Sequence, residues 1–265
     1  FWHGDRSCKR IMIKVYNNET QLSKNLALEI LTKLKNKKKL VLGCPGGRSL
    51  KKTYYYLGIL SFKHKISLDK LTLVMMDEYA LKKNNKFFLV NPNNHYSCVR
   101  FANNVIKKLL NYKKNKSNSL KKNNILFPSI EKPNNYDKII RDLGGIDIFL
   151  LASGSSDGHV AFNNAYSSIN QKTHITKLSM STRTDNMKTF PHFNNLNEVP
   201  KFGLTVGLNT IFTLSKSAIL VLAGKEKKQA FKKISSLKKF DKSWPASIIH
   251  KCKNNKIYID NSVRL

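Results

Sequence analysis

Short apolar runs alternate with helical patterns along the chain, and this alternation limits the fold more than any other feature of the sequence. The apolar runs lie at residues 11–16, 40–43, 71–76, 146–152, 218–223 and 256–259. Helical patterns lie at residues 22–34, 50–60, 96–112, 136–143 and 226–237, the first with Thr20 as its predicted N-cap. Strands that are apolar throughout need cover on both faces, as parallel sheets with helical crossovers provide. We therefore predict an α/β fold in which a mostly parallel sheet has helices on both faces.

The length of 265 residues suits one such domain with a substantial core and is short for two. The sequence has no visible internal repeat or domain boundary, so residues 1–265 are expected to form a single domain. Residues 1–10 are expected to be an irregular terminal segment, and residues 113–124 a polar low-complexity insertion. No apolar run approaches the roughly 18 residues that span a bilayer, so a membrane protein is not expected.

The net charge of +32 raises the question of nucleic-acid binding. Only seven of the 48 basic residues are arginine, and the lysines are scattered along the whole chain. Base recognition favours arginine forks and stacking aromatic rings, so specific nucleic-acid binding is not predicted. Weak attraction to polyanions at low salt still follows from the net charge.

The four cysteines, Cys8, Cys44, Cys98 and Cys252, are dispersed and form no CxxC pair. Together with the absence of an HExxH pattern, this predicts no metal site and no disulfide scaffold. The N-terminus also lacks the basic-then-apolar order of a signal peptide. These observations predict reduced thiols and a cytoplasmic protein.

Three loops follow predicted strands at their carboxyl ends, where open α/β sheets bind ligands. The first contains Gly46, Gly47, Arg48 and Ser49. Glycine lets the backbone approach a ligand, and the N–H groups at the start of the next helix attract anions. This loop is therefore either an anion site or an ordinary tight turn.

The second loop contains Asp77 and Glu78, directly after a hydrophobic strand. Adjacent strand residues point to opposite faces, so only one of the two carboxylates can face a shared crevice. That carboxylate could abstract a proton. The alternative is a helix cap or a salt bridge with one of the many lysines.

The third loop contains Asp157-Gly158-His159 after the strongest apolar run. A histidine beside a carboxylate is a candidate acid–base pair, because its pKa lies near neutrality. The alternative is a structural histidine.

These loops, in this order, resemble the glucosamine-6-phosphate deaminase family, which is related to the 6-phosphogluconolactonases. The resemblance extends from about Lys39 to Asp260. The matching pieces are Leu42-Gly-Cys-Pro-Gly-Gly-Arg-Ser49, Met76-Asp-Glu-Tyr79, Asp157-Gly-His-Val-Ala-Phe-Asn163, Ser167-Ser168, Leu204-Thr-Val-Gly207, Gly224-Lys-Glu-Lys227 and Trp244-Pro-Ala-Ser247. Each piece is weak alone, whereas their order and spacing are specific.

The resemblance implies a Rossmann-like fold, a sugar-phosphate substrate and a reaction without metal or redox cofactor. It implies that Asp77 moves a proton between C2 and C1 of a hexosamine 6-phosphate, and that His159, supported by Asp157, opens the pyranose ring. The product would be fructose 6-phosphate with release of ammonia. By position, Gly47, Ser49, Lys188 and Lys227 resemble the phosphate-binding residues. The resemblance also allows a homo-oligomer.

The chain departs from the family pattern at several positions. Asn164 stands where the deaminases have glutamate, Arg48 where small residues are usual, and Lys188 where the phosphate site has arginine. These departures leave two alternatives open within the family: a 6-phosphogluconolactonase, and a sugar-phosphate-binding homologue with weakened catalysis. Tyr79 and the run 160–163 favour the deaminase over the lactonase. A general polyanion binder is a further alternative, based on the lysine excess alone.

Overall fold

The computed structural model describes residues 11–264 and contains eleven strands there. The strands are β1 Met12–Tyr16, β2 Leu40–Cys44, β3 Leu71–Met75, β4 Asp77–Lys83, β5 Lys86–Leu89, β6 Ile125–Leu126, β7 Ile148–Ala152, β8 His174–Lys177, β9 Phe202–Thr205, β10 Ala218–Leu222 and β11 Asn255–Asp260. Seven of them form a parallel sheet in the order β1-β11-β10-β7-β2-β3-β6. The predicted α/β fold with a mostly parallel sheet is confirmed.

Eight α-helices occur in this described part of the chain. They are α1 Glu19–Lys37, α2 Lys51–Lys63, α3 Cys98–Phe101, α4 Lys107–Leu110, α5 Asn135–Asp142, α6 Met180–Thr189, α7 Leu208–Leu214 and α8 Lys228–Ser236. A π-helical stretch, Ala102–Ile106, joins α3 to α4. The predicted N-cap of α1 is wrong: Asn18 accepts the hydrogen bond of the Gln21 N–H at 2.9 Å, and Thr20 lies inside the helix.

The core has two layers, one on each face of the parallel sheet. Along β7, Ile148 and Leu150 pack in one layer, while Phe149 and Leu151 pack in the other. The first layer includes the buried faces of α1 and α2, and the second includes those of α5, α7 and α8. The alternation of side chains along an apolar strand thus places helices on both faces, as predicted.

A second, smaller sheet was not predicted. It is antiparallel, with the order β5-β4-β9-β8. Residues 77–79, which we expected to be a loop, are the first residues of β4, so the prediction of a loop is wrong. This strand pairs Asp77 with Thr205 and ends in the exposed Lys82 and Lys83. Its partner β9 is far away in the sequence and its exposed end contains two lysines, so the local pattern of β4 alone does not indicate a strand. Its other partner, β5, follows at once through a turn at Asn84 and Asn85, a local hairpin that was not predicted.

Two segments, residues 1–10 and residues 113–124, were predicted to differ from the rest of the domain. Residues 1–10 lie outside the described residues. Within residues 113–124, Leu120 is fully buried, and the Asn118 carbonyl accepts a hydrogen bond from the Leu68 N–H at 2.9 Å. Part of this polar segment therefore packs against the domain. Within residues 11–264, no helix has both the length and the apolar content that a membrane span requires.

Candidate active site

A cavity of about 460 Å³ lies where the predicted loops follow the carboxyl ends of the parallel strands. Most of the site residues predicted from the sequence line it: Gly46, Gly47, Arg48, Ser49, Asp77, His159, Lys188 and Lys227. The other three, Glu78, Asp157 and Asn164, lie behind this lining and contact residues that face the cavity or support them. The rule that ligands bind at the carboxyl ends of parallel strands therefore places the cavity correctly.

Asp77 is buried at the point where the chain leaves β3 and enters the second sheet. Its side chain faces the cavity although the residue is only 7% exposed. Burial raises the pKa of the Asp77 carboxyl to about 7, and this effect outweighs the opposing hydrogen bond from Cys98. A carboxyl with a pKa near neutrality can exchange protons with a bound ligand.

Glu78 points to the opposite side of the strand and is only 1% exposed. Its carboxylate accepts hydrogen bonds from the Ser97 hydroxyl at 2.7 Å, the Cys98 N–H at 3.0 Å and the Val99 N–H at 2.9 Å. It also accepts from the N–H of Tyr79 at 2.8 Å. Glu78 thus caps the N-terminal end of α3. A helix cap was one of the alternatives to proton abstraction considered for this pair of carboxylates.

His159 and Asp157 form a hydrogen-bonded pair in which Nδ1 of the imidazole lies 2.7 Å from a carboxylate oxygen of Asp157. Each side chain is 16% exposed. Burial alone would raise the pKa of Asp157, but hydrogen bonds from His159 and Ser181 hold it well below its usual range. The carboxylate therefore stays ionised and fixes the orientation of the imidazole, whose other nitrogen is available to a ligand.

Hydroxyl groups at the start of α6 complete the surroundings of Asp157. Ser181 donates to its second oxygen at 2.5 Å, and the Ser179 and Thr182 hydroxyls lie 3.4 and 3.3 Å from the same atom. Ser179 is also the N-cap of α6. The helix that lines one wall of the cavity is thereby fixed to the imidazole–carboxylate pair.

Asn164 contacts the histidine only through an intermediate residue. Its side-chain oxygen accepts from the Thr182 hydroxyl at 3.3 Å, and that hydroxyl lies 3.2 Å from Nδ1 of His159. The Asn164 amide donates to the Lys177 carbonyl at 2.8 Å. Asn164 therefore links the loop to β8 and supports the environment of His159 without touching it.

Two glycines allow the close packing around the imidazole. A Cβ at Gly154 would lie 2.3 Å from Nδ1 of His159 and 2.4 Å from the Asp157 carboxylate. A Cβ at Gly158, where φ is +67°, would lie 2.3 Å from the Trp244 ring. Trp244, the first residue of the matching motif 244–247, therefore packs against the third loop at Gly158.

The basic end of the cavity contains Arg48, Lys188 and Lys227 together with the glycine-rich loop. Gly47 has a φ of +84°, a conformation that glycine adopts without strain. Lys227 is partly buried, and its ammonium donates to the Ser153 carbonyl at 2.7 Å. Burial lowers the pKa of Lys227. These cations and the loop N–H groups are suited to a phosphate, and the acidic side chains of Glu226 and Asp185 lie close to Lys227.

Several residues that line the cavity were not predicted as site residues from the sequence. They are Glu19, Tyr79, Cys98, Phe162, Asp185, Asn186, Thr189, Phe190 and Glu226. Tyr79 and Phe162 had entered only through family resemblance, and their rings pack at 5.0 Å between centroids, so they give the cavity an apolar wall. Asp185, Asn186 and Thr189 belong to α6, for which the sequence contains a capping serine but no clear apolar stripe.

Asp157, His159 and Asp185 each place one potential ligand atom within 4.8 Å of the other two. The hydrogen bond between Asp157 and His159 engages Nδ1 of the imidazole and one carboxylate oxygen, and Lys188 and Lys227 line the same cavity. These observations favour an acid–base pair over a cation site. That the protein needs no metal stays a prediction.

The fold is that of an α/β protein with a parallel sheet. Its cavity brings together a buried carboxyl, a histidine–carboxylate pair and a basic loop, which make it a candidate acid–base site. The profile of the family of glucosamine-6-phosphate isomerases and 6-phosphogluconolactonases matches residues 17–259. The chain belongs to this family, which confirms the resemblance inferred from the motifs.

Individual relatives agree with this assignment. A glucosamine-6-phosphate deaminase of Shouchella clausii is 31% identical over 251 residues, with 94% of each chain covered. A glucosamine-6-phosphate isomerase of Candida albicans is 30% identical over 94% of this chain and 95% of its own. The solved structure of a monomeric glucosamine-6-phosphate deaminase is 26% identical and has a TM-score of 0.82, covering 96% of this chain and 99% of that one. A 6-phosphogluconolactonase from Thermotoga maritima, at 17% identity and a TM-score of 0.63, shares the fold.

Proposed function

We propose that this protein is a glucosamine-6-phosphate deaminase, which converts glucosamine 6-phosphate and water to fructose 6-phosphate and ammonia. The observation that supports this proposal most directly is the position of Asp77. Its carboxyl, with a pKa raised to about 7, faces the same cavity as the histidine–carboxylate pair. Isomerisation of an aldose needs both a base beside C2 and a group that opens the ring.

In the proposed mechanism, His159 first moves a proton from O1 to the ring oxygen, which opens the pyranose. Asp157 holds the imidazole in the orientation that this transfer requires. Asp77 then removes the proton from C2 of the open-chain sugar and delivers it to C1, while a proton of the amino group moves to O1. This leaves a carbon–nitrogen double bond at C2, which water hydrolyses to the ketone as ammonia departs.

The basic end of the cavity would bind the phosphate. Lys188, Lys227 and the N–H groups of the loop at Gly47 are the proposed contacts, with Ser49 as a further donor and Arg48 as an additional cation. Binding energy from the phosphate, remote from the reacting carbons, can hold C2 against Asp77. A cytoplasmic location and assembly as a homo-oligomer are also proposed. The first rests on the dispersed cysteines, of which Cys44, Cys98 and Cys252 are free thiols.

The test is ammonia and fructose 6-phosphate release from glucosamine 6-phosphate by the purified protein. Asp77→Asn should abolish both products, because an amide cannot accept the C2 proton. Asp142→Asn, at an exposed carboxylate of α5, is the matched control and should keep full activity. Hydrolysis of 6-phosphogluconolactone without ammonia release would instead support the lactonase alternative. Thermal stabilisation by sugar phosphates without turnover would support the weakened homologue.

A further inference from the structure

Cys98 is a cavity residue to which neither the motifs nor the proposed mechanism assigns a role. It is the first residue of α3 and only 5% exposed. Its sulfur lies 3.5 Å from Oδ1 of Asp77. The backbone N–H of the same residue donates to Glu78 at 3.0 Å, so the carboxylate next to Asp77 in the sequence fixes the position of the thiol.

In this contact the thiol of Cys98 donates the hydrogen bond and the Asp77 carboxylate accepts it. An ionised carboxylate only accepts hydrogen bonds, and a protonated thiol can donate one. Burial raises the pKa of Cys98 well above its usual range, and the neighbouring carboxylates act in the same sense, so the thiol keeps its proton. Among the hydrogen bonds of residues 11–264, this S–H is the one side-chain donor to the Asp77 carboxylate.

The packing at Gly46 keeps the thiol and the carboxylate together. A Cβ at this glycine would lie 3.4 Å from the Cys98 sulfur and 3.9 Å from Oδ1 of Asp77. The backbone of the first loop therefore lies against both the thiol and Oδ1 of Asp77. With Oδ1 engaged in this way, Oδ2 is the oxygen left for a ligand.

We propose that Cys98 is a positioning residue for Asp77: its thiol donates to Oδ1 and thereby presents Oδ2 to the C2 proton of the substrate. This role rests on the proposed function, in which Asp77 is the base. A thiol is a weaker donor than a hydroxyl, so it orients the carboxylate while stabilising its ionised form only slightly. A hydroxyl at the same place would donate more strongly and make the carboxylate a weaker base.

The first test measures the pKa of Asp77 without substrate, by NMR of protein with ¹³C-labelled aspartate carboxyls and Asp77→Asn to assign the signal. Cys98→Ser should lower this pKa and Cys98→Ala should raise it, each by about 0.5 to 1. The same substitutions at Cys252, a buried thiol that donates to the Ile248 carbonyl, are the matched controls and should leave it unchanged. An Asp77 pKa that is unaffected by both Cys98 variants overturns the proposal.

The second test follows kcat/KM for ammonia release as a function of pH. The acidic limb of the profile should shift in the same direction as the NMR pKa in each Cys98 variant. Variants that change only thermal stability, with an unmoved limb, would show that the thiol is merely a packing residue. If the NMR pKa responds as expected but the parent releases no ammonia, the contact is established and the proposed deaminase function is what fails.

Discussion

Replacement of Glu78 by glutamine tests whether the buried cap of α3 holds the acid–base site together. The carboxylate accepts four hydrogen bonds, from Tyr79, Ser97, Cys98 and Val99. In glutamine, one oxygen can still accept from the N–H groups of Tyr79 and Cys98. The NH₂ group then faces the two donors that bonded the other oxygen, the Ser97 hydroxyl and the Val99 N–H. The Ser97 hydroxyl can rotate and accept from that NH₂, but the Val99 N–H is left without an acceptor.

The magnitude follows from these contacts. A buried donor without a partner costs about 1 to 3 kcal/mol, and each retained bond weakens by about 1 kcal/mol when its acceptor loses its charge. Relief from burying a charge offsets part of this loss. We expect Glu78→Gln to lower the free energy of unfolding by about 2 to 4 kcal/mol, a large part of the roughly 5 to 15 kcal/mol typical of a domain.

The assay is urea unfolding of the parent and of Glu78→Gln, compared at their midpoints and slopes. The matched control is Glu131→Gln, at an exposed carboxylate, which should change stability by less than about 0.5 kcal/mol. If the two variants lose equally little stability, the four hydrogen bonds of Glu78 do not hold α3 in place.

Three further predictions concern the cavity. Because Asp77 must be ionised to act as a base and its pKa is about 7, kcat/KM for ammonia release should fall about tenfold per pH unit below that value, and a flat profile down to pH 5 would contradict this role. Because of the same raised pKa, the Asp77 carboxyl keeps its proton in the folded state between about pH 4 and pH 7, where the unfolded state has already lost it. The free energy of unfolding therefore falls as the pH rises through this range, and the full loss is reached above about pH 7. Asp77→Asn should therefore stabilise the protein by up to about 4 kcal/mol at pH 8 and by less at pH 5, and equal changes in melting temperature at both pH values would refute the linkage. Finally, Gly154→Ala would place a methyl 2.3 Å from His159, so we expect kcat to drop by about a hundredfold with an unchanged circular dichroism spectrum, whereas full activity would contradict the close approach.

The parallel sheet and the location of the cavity could be predicted from the sequence because both depend on local patterns. Six of the seven strands of this sheet are short apolar runs, and the segments that follow three of them contain the glycine and acidic residues of the site. The two-residue strand β6 was not predicted. The opposite orientations of Asp77 and Glu78 also follow from strand geometry alone. The structure places Asp77 in the cavity and Glu78 against α3, which local geometry could not assign.

The second sheet and α6 could not be predicted, because their stability depends on distant partners. β4 pairs with β9 across more than a hundred residues, and the exposed half of β4 contains two lysines. The β4–β5 hairpin, which turns at Asn84 and Asn85, is by contrast local in the sequence. The α6 sequence, Met-Ser-Thr-Arg-Thr-Asp-Asn-Met-Lys-Thr, is mostly polar, and buried contacts of Thr182 and Arg183 hold the helix in place. For the same reason Asp185 and Asn186, which depend on α6 for their position, were missed.

The hydrogen-bond donors around Asp77, Glu78 and Asp157 explain how the protein can contain so many lysines without these acids pairing with them. Lysine and arginine outnumber aspartate and glutamate by 48 to 16, so almost any acid could meet a lysine. Yet the bonds to Asp77, Glu78 and Asp157 come from a thiol, hydroxyls, backbone N–H groups and an imidazole. None of these donors is a lysine or an arginine, so they stay in place when lysines on the surface are gained or lost. Replacing lysines outside the cavity should therefore leave these three hydrogen-bond networks unchanged, and the pH–rate profile of ammonia release should stay in place.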